Sequence, residues 1–161
     1  MEIKNQHQRN IANLAFSLLF AGLVGAQLVT LWQLPTPPSL ELTEFVLLSL
    51  AVFRLTRLFV YDGVTSWLRD LFIDVSEKRG TLIRVKKQTG LQRTVSDIFS
   101  CPWCFSMWGG SVFIWAYIMF PSVMLYAALV LAISAVATML QLSANLLGWK
   151  AEYQKKMTEK L

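Results

Sequence analysis

The chain has 161 residues, of which 55% are hydrophobic and only 16% are charged. Soluble domains carry about 25% charged residues, so the low charge content and a mean hydropathy of +0.47 argue against an ordinary soluble domain. The charges are also clustered, with long uncharged runs between them. This composition is typical of a multi-pass membrane protein, and the length fits a single membrane domain over residues 1–161.

Four apolar segments are long enough for membrane-spanning helices, which need roughly 20 mostly apolar residues. The predicted spans are residues 11–34, 44–61, 103–120 and 122–149. Three of them contain no charged residue, whereas the second carries Arg54 and Arg57. The basic start of the first segment resembles a secretion signal, but its apolar stretch is too long for one, so we expect a retained anchor.

The positions of lysine and arginine predict the orientation of these spans, because cytoplasmic loops are enriched in basic residues. The N-terminal tail, residues 62–100 and the C-terminal tail hold the basic clusters, whereas residues 35–43 and the turn at Pro121 hold no basic residue. Four spans place every basic cluster on one side of the membrane. We therefore predict that both termini and residues 62–100 are cytoplasmic.

Arg54 and Arg57 lie one turn apart within the second predicted span. A charge inside a bilayer is costly unless it snorkels to the interface or is paired. Arg57 is close enough to the cytoplasmic end to snorkel, whereas Arg54 needs a partner. The candidate partners are Asp62, Asp97, helix C-terminal carbonyls, lipid phosphate and the thiolates of Cys101 and Cys104. Two hypotheses follow: a snorkelling pair that fixes the depth of the helix, or an anion or lipid-headgroup site formed by Arg54, Arg57 and Asp62.

The cytoplasmic segment of residues 62–100 has amphipathic patterning. Residues 64–75 place apolar side chains on one helical face, which predicts a helix in the membrane interface. Residues 81–85 (TLIRV) predict a short strand, and residues 91–99 predict a second amphipathic helix. The expected partners are the lipid bilayer and anionic lipid headgroups. Nucleic acid is not expected, because the charge is mixed and no binding motif is present.

The only two cysteines, Cys101 and Cys104, form a CPWC motif at the cytoplasmic start of the third span. A structural disulfide is not expected in the reducing cytosol. Pro102 suits the first turn of a helix, and Trp103 and Trp108 lie where interfacial aromatic belts form. The simplest hypothesis is that the motif begins the third helix and docks it on the cytoplasmic segment.

Two chemical alternatives remain open for this motif. A CPxC sequence at a helix start resembles the redox pair of glutaredoxins, whose first thiol is activated by the helix N-terminus. However, the chain has no thioredoxin-like βαβ pattern and no further cysteines for relay. A structural zinc needs four ligands, and the only histidine is His7, so zinc is expected only through a dimer or a partner protein. No catalytic residue set and no cofactor are predicted.

The order of these features resembles a small family of bacterial and phage membrane proteins whose domain has no assigned function, and which includes a sporulation-associated membrane protein of bacilli. The residues that carry the resemblance are Arg54, Arg57, Leu58, Asp62, Arg93, Cys101, Pro102, Trp103, Cys104 and Trp108. It covers roughly residues 47–117, and Ser106 stands where relatives have glycine. The resemblance implies a protein of the bacterial cell membrane and supplies no mechanism.

The sequence therefore predicts an all-α integral membrane protein with four transmembrane helices and an amphipathic, interfacial cytoplasmic segment. The leading functional hypothesis is a non-enzymatic structural or regulatory role, in sporulation by resemblance alone. The protein partner, if there is one, is expected to be a second copy or another membrane protein. The alternatives are a thiol oxidoreductase or dimer-bridged metal site at Cys101 and Cys104, and a small anion transport or channel subunit with Arg54 in its path.

Overall fold

The computed structural model describes residues 2–34, 40–78, 81–86 and 90–158, and it describes side chains for residues 6–34, 40–72 and 92–158. The elements in chain order are α1 (Glu2–Gln33), α2 (Leu42–Val60), a 3-10 helix (Gly63–Thr65), α3 (Ser66–Asp70), β1 (Ile73–Lys78), β2 (Thr81–Lys86), α4 (Gly90–Ser100), α5 (Pro102–Met119) and α6 (Pro121–Thr158). The described part of the chain is therefore mainly helical, with one two-stranded hairpin.

Each of the four predicted spans falls largely within a helix of at least 18 residues. By length and composition, however, only two of the described helices could cross a membrane, and these are Gln6–Gln33 and Pro121–Thr158. The helix α2 carries Glu44, Arg54 and Arg57, and the apolar run of α5 is short and interrupted by serine and glycine. The sequence patterns of the first and last predicted spans are thus supported, and those of the middle two are not.

The core of the bundle lies where α6 packs on α2, which is the most extensive helix contact in the described part. Ala51 of α2 and Ala128 and Ala135 of α6 are completely buried there. Small side chains let two helix backbones approach closely, so that van der Waals contacts hold the pair together.

The helix α5 packs against the same core, and two glycines let it lie close to α2. A Cβ added at Gly109 would lie 3.7 Å from Leu55 Cδ2, and one added at Gly110 would lie 3.6 Å from Val52 Cγ1. Phe113 of α5 is buried in the core, so α2 is held between α5 and α6.

The helix α1 packs mainly on α4 and touches α5. Two polar contacts fix it. Asn13 Oδ1 accepts a hydrogen bond of 2.9 Å from Thr94 Oγ1, and Gln27 Nε2 donates one of 2.7 Å to the carbonyl oxygen of Ser111. Most of the remaining α1 surface is apolar and exposed.

The predicted interfacial helix over residues 64–75 is wrong beyond α3, which ends at Asp70. The chain then forms β1, which pairs antiparallel with β2 so that Ile73 lies opposite Lys86. The physical reason is visible in the sequence: apolar and polar residues alternate from Ile73 to Ser76, and β-branched residues favour an extended backbone.

The other two predictions for residues 62–100 are confirmed: β2 contains TLIRV, and α4 covers the second amphipathic helix. The described part of the chain is helical, as predicted, apart from this two-stranded hairpin between α3 and α4. Among the basic residues of this segment, only Arg69 and Arg93 have described side chains.

Candidate functional site

An ion pair joins the interior of α2 to the residue beyond its end. Arg54 Nη1 donates to Asp62 Oδ2 at 2.8 Å, and Arg54 Nε donates to Ser134 Oγ of α6, also at 2.8 Å. The two charged side chains are only 18% and 27% exposed. Among the partners that the sequence left open for Arg54, Asp62 is therefore the one in contact.

Asp62 can reach Arg54 because the chain turns back directly after α2. Tyr61 closes the helix by donating its backbone N–H to the Arg57 carbonyl oxygen at 2.9 Å, and the backbone of Asp62 is extended. The Asp62 side chain makes no capping hydrogen bond to the following 3-10 helix. Its carboxylate is thus available to lie back along the last two turns of α2.

Two further side chains hold the carbonyl groups at the end of α2. Thr65 Oγ1 donates to the Leu58 carbonyl oxygen. The Arg69 guanidinium donates to the carbonyl oxygens of Phe59 and Asp62, each at 2.8 Å. The last carbonyls of a helix lack intrahelical partners and carry partial negative charge, so a cation both satisfies and neutralises them.

The capping role of Arg69 was missed by sequence reasoning, which treated it as one basic residue among several. The available signal was its spacing: Arg69 stands one turn after Thr65, behind a short turn that reverses the chain.

Arg57 has different surroundings from Arg54, because it lines a groove between α2 and α5. Its guanidinium carbon lies 5.5 Å from the centroid of the Tyr61 ring. Its Nε is buried and has no hydrogen-bond partner among the described residues. Pro102 and Trp103 of the CPWC motif line the same groove, which has a volume of about 440 Å³.

The CPWC motif begins α5, as predicted. Cys101 is the N-cap residue and Pro102 is the first residue of the helix. Cys101 Sγ accepts the backbone N–H of Cys104 at 3.3 Å, and the Cys104 thiol donates to Cys101 Sγ at 2.7 Å. Neither cysteine forms a disulfide, so the motif presents two adjacent thiols at a helix N-terminus.

A cluster of four phenylalanines joins the start of α5 to α4 and to the residue before β1. Phe99 of α4 lies at its centre, with ring centroids 6.4, 6.0 and 5.5 Å from those of Phe59, Phe72 and Phe105. Phe59 also stacks on Phe105 at 5.2 Å. The sequence signal was partly visible, since Phe72 and Phe99 lie on the apolar faces of the predicted amphipathic helices.

Other motif residues lie on the side of α5 that faces α1. The Trp108 ring meets those of Phe16 and Phe20 edge-on, at centroid distances of 6.1 and 5.1 Å. Cys104 and Trp108 line a cavity of about 420 Å³ together with residues of α1 and α4. Trp103, by contrast, is 80% exposed.

The predicted site residues thus divide among separate places. Arg57, Pro102 and Trp103 share the α2–α5 groove, whereas Cys104 and Trp108 face α1. Arg54 is hydrogen-bonded to Asp62 and Ser134. Arg93 forms a pair of 3.2 Å with Asp97 within α4.

The residues that the structure describes include no cluster of three or more histidine, cysteine, aspartate or glutamate side chains that could hold a metal ion. The two thiols of CPWC supply half of the ligands that a structural zinc needs.

Comparisons with known proteins fit this arrangement. The DUF1360 family, described as "Protein of unknown function", matches residues 47–144, from the middle of α2 into α6. "Sporulation protein YjcA" of Bacillus subtilis (strain 168) is 34% identical over 101 residues, which are 60% of this chain and 86% of that protein. No solved structure matches the chain. The family match covers more than half of the chain and includes both the Arg54–Asp62 pair and the CPWC motif, so the chain belongs to the DUF1360 family.

Proposed function

We propose that this chain is a multi-pass membrane protein in which α1, α2, α5 and α6 span the bilayer and both termini are cytoplasmic. Its role is structural or regulatory rather than enzymatic, and the protein functions in sporulation. The observation that carries the membrane assignment is the exposed apolar surface of α6. Only 17% of its most apolar 18-residue stretch is buried. Monomeric soluble proteins rarely expose so continuous an apolar surface.

The helix α1 supports the same assignment. Only 6% of its most apolar 18-residue stretch is buried, and its contacts to α4 and α5 use a few polar residues and the rings of Phe16 and Phe20. The remaining apolar surface suits contact with lipid. Two apolar helices of this kind, one of them far from the N-terminus, favour an integral protein over a protein with a leader peptide alone.

The assignment of α2 and α5 as spanning helices rests on the pairing and position of the charged residues of α2 and on the lengths of both helices. The charge of Arg54 is matched by Asp62, and Arg57 lies less than one turn from the end of α2. Helices of 18 and 19 residues are about 27–29 Å long, close to the roughly 30 Å of a hydrocarbon core. Ionisable side chains inside membranes are tolerated when they are paired or near the interface.

The segment between α2 and α5 contacts the bundle near both of its ends, which favours a structural or regulatory role. Thr65 and Arg69 bind the end of α2, and the phenylalanine cluster joins α4 to α2 and α5. Around α3, the side chains of Val64, Trp67 and Leu71 are exposed. An exposed tryptophan between apolar residues fits the headgroup region of an anionic leaflet, the partner proposed for this segment.

Sporulation comes from the relative alone, whose name states that process and no activity. Deleting the gene in its own spore-forming host should lower spore yield or heat resistance. An unchanged spore count would contradict this part of the proposal.

Membrane topology can be tested with single cysteines in a variant that carries Cys101→Ser and Cys104→Ser. Ser122→Cys, at the start of α6, should react with a membrane-impermeant maleimide on intact cells. Thr158→Cys, at the end of α6, should react only after permeabilisation. The reverse pattern, or release of the protein by alkaline carbonate, would overturn the topology.

The two adjacent thiols favour a second candidate, a membrane thiol oxidoreductase. Cys101 Sγ at the N-terminus of α5 lies 2.7 Å from Cys104 Sγ. In such a reaction each thiol gives up one proton and one electron to a membrane quinone as the Sγ–Sγ bond forms. Cys101→Ser and Cys104→Ser should then each abolish quinone reduction by the dithiol protein. Wild-type sporulation in the double variant would exclude a required redox or metal role.

The third candidate, an anion transport or channel subunit, gains less support. Its key residue, Arg54, is already hydrogen-bonded to Asp62 and Ser134, so it does not present a free cation to an ion path.

A further inference from the structure

We infer that the groove between α2 and α5 binds one anionic phospholipid, with the lipid phosphate at Arg57 and an acyl chain along α2. This inference rests on the proposed membrane location and adds a specific ligand site to it. Three independent features of the groove carry it: its length, its single unbalanced charge and its apolar walls.

The groove is continuous over most of α2. The cavity at Arg57 and a second cavity of about 490 Å³ share Ser49, Val52 and Ser106. The second cavity extends the groove to Phe45, near the start of α2. The twelve helical steps from Phe45 to Arg57 rise about 18 Å, slightly more than one leaflet of a hydrocarbon core that is roughly 30 Å thick.

Arg57 is the only charged residue among the described residues that line the groove. Asp62, the acidic residue nearest to Arg57 in the sequence, is paired with Arg54. The contact described for the Arg57 guanidinium is with the ring of Tyr61, which leaves its positive charge uncompensated among the described residues. A guanidinium binds phosphate oxygens in a bidentate geometry. The groove therefore presents an unbalanced cation at one end.

The rest of the groove presents an apolar surface, even where serine and threonine line it. The hydroxyl groups of Ser49, Thr56 and Ser106 donate to the carbonyl oxygens of Phe45, Val52 and Trp103 at 2.7, 2.8 and 2.9 Å. The side chains turned to the groove are otherwise aliphatic or aromatic, and Gly110 leaves space beside Val52. Such walls suit an acyl chain and offer nothing to a soluble anion.

The charged end of the groove lies at the proposed depth of the lipid headgroups. Tyr61 and Trp103 flank Arg57 there, and both are exposed. Tyrosine and tryptophan are enriched at this level of a bilayer. A single cation at the interface with an apolar channel below it matches an amphiphile rather than a peptide or a free phosphate.

Native mass spectrometry of the delipidated protein in non-ionic detergent tests the site directly. Phosphatidylglycerol and phosphatidylcholine with identical acyl chains are added in parallel. We expect one phosphatidylglycerol to bind about fivefold more tightly than phosphatidylcholine, the factor that one basic residue contributes at an anionic surface. Arg57→Gln should remove this preference, and Arg57→Lys should keep most of it.

A second pair of variants tests the acyl-chain part of the site. Ser106→Phe fills the middle of the groove and should displace both lipids. Ser143→Phe is the matched control, because Ser143 is exposed on α6 and makes the same kind of hydrogen bond to a backbone carbonyl. It should bind both lipids as the wild type does.

Several outcomes would overturn the inference. These are equal binding of the two lipids, an unchanged preference in Arg57→Gln, undiminished binding in Ser106→Phe, or displacement of phosphatidylglycerol by millimolar glycerol phosphate, which would indicate a site for a soluble anion. Resistance to carbonate extraction is measured on the same variants. If resistance persists while selectivity is absent, the groove site alone fails; if carbonate releases the wild type, the proposed membrane function fails.

Discussion

Arg54 Nη1 lies 2.8 Å from Asp62 Oδ2, although the two residues are eight positions apart and only Arg54 belongs to α2. The pair closes the end of α2 back onto the helix, and Ser134 connects it to α6. Because both charged side chains are mostly buried, removal of either one leaves the other without compensation. The stability of the bundle should therefore depend strongly on this contact.

Asp62→Asn should lower the free energy of unfolding by about 3 kcal/mol, because it leaves the Arg54 charge largely buried without a counterion. The double variant Arg54→Gln/Asp62→Asn should recover part of this loss. Denaturant unfolding in detergent, followed by circular dichroism, gives the comparison.

The matched control for this pair is Glu152→Gln, which breaks a 2.7 Å ion pair with Lys156 on α6. That pair is well exposed, so solvent screening should keep the change within about 0.5 kcal/mol. Equal losses of unfolding free energy in Asp62→Asn and Glu152→Gln would show that the Arg54–Asp62 pair stabilises the protein no more than an exposed ion pair does.

Arg69 should stabilise the end of α2 through its two carbonyl contacts. We expect Arg69→Ala to cost about 2 kcal/mol, within the range for hydrogen bonds to charged groups, and Arg69→Lys to lose part of this. Lysine keeps the charge but lacks the fork that reaches two oxygens. Amide hydrogen exchange in the last turn of α2 should accelerate in both variants.

Arg93→Ala serves as the control for Arg69, because Arg93 pairs within its own helix with the half-exposed Asp97. Pairs of this kind contribute about 0.3–0.5 kcal/mol. Exchange at the end of α2 should be unchanged in Arg93→Ala, and faster exchange there would contradict a specific capping role for Arg69.

The sequence predicts much of the helical framework and less of the site. Uncharged runs mark the helices, and Pro102 marks the start of α5, because apolar length and proline geometry act locally. Asp62 reaches Arg54 only because the chain reverses direction after α2. Sequence spacing does not show this reversal, so it leaves several possible partners for Arg54. The strand at Ile73 competes with a helical pattern, and its pairing with β2 decides the outcome.

Contacts between distant elements are the part that sequence reasoning does not reach. Ser134 meets Arg54 only because α6 packs on α2, and the phenylalanine cluster unites residues from three elements and a connecting segment. The apolar faces that contain Phe72 and Phe99 were visible in the sequence. The contact between these two faces was not visible, because an apolar helix face indicates that it is buried but does not identify the residues that pack on it.

Close approach of α2 and α6 should make the α6 alanines sensitive to added volume. Ala128→Leu should lower the free energy of unfolding by about 1–3 kcal/mol, because the completely buried site has no space for the larger side chain. Ala137→Leu, at an exposed position of the same helix, should change it little. Thermal unfolding in detergent compares the two, and an equal response would contradict the α2–α6 interface.

Phe99 should hold the segment between α2 and α5 to the bundle, because its ring contacts those of Phe59, Phe72 and Phe105. Phe99→Ala should cost about 2 kcal/mol, less than the roughly 3–5 kcal/mol of a fully buried phenylalanine. The segment between α2 and α5 should then open locally, so limited proteolysis there should be faster. Phe120→Ala, which removes an exposed ring after α5, should leave the cleavage rate unchanged. If Phe99→Ala is cleaved no faster than Phe120→Ala, contacts other than the ring cluster hold the segment in place.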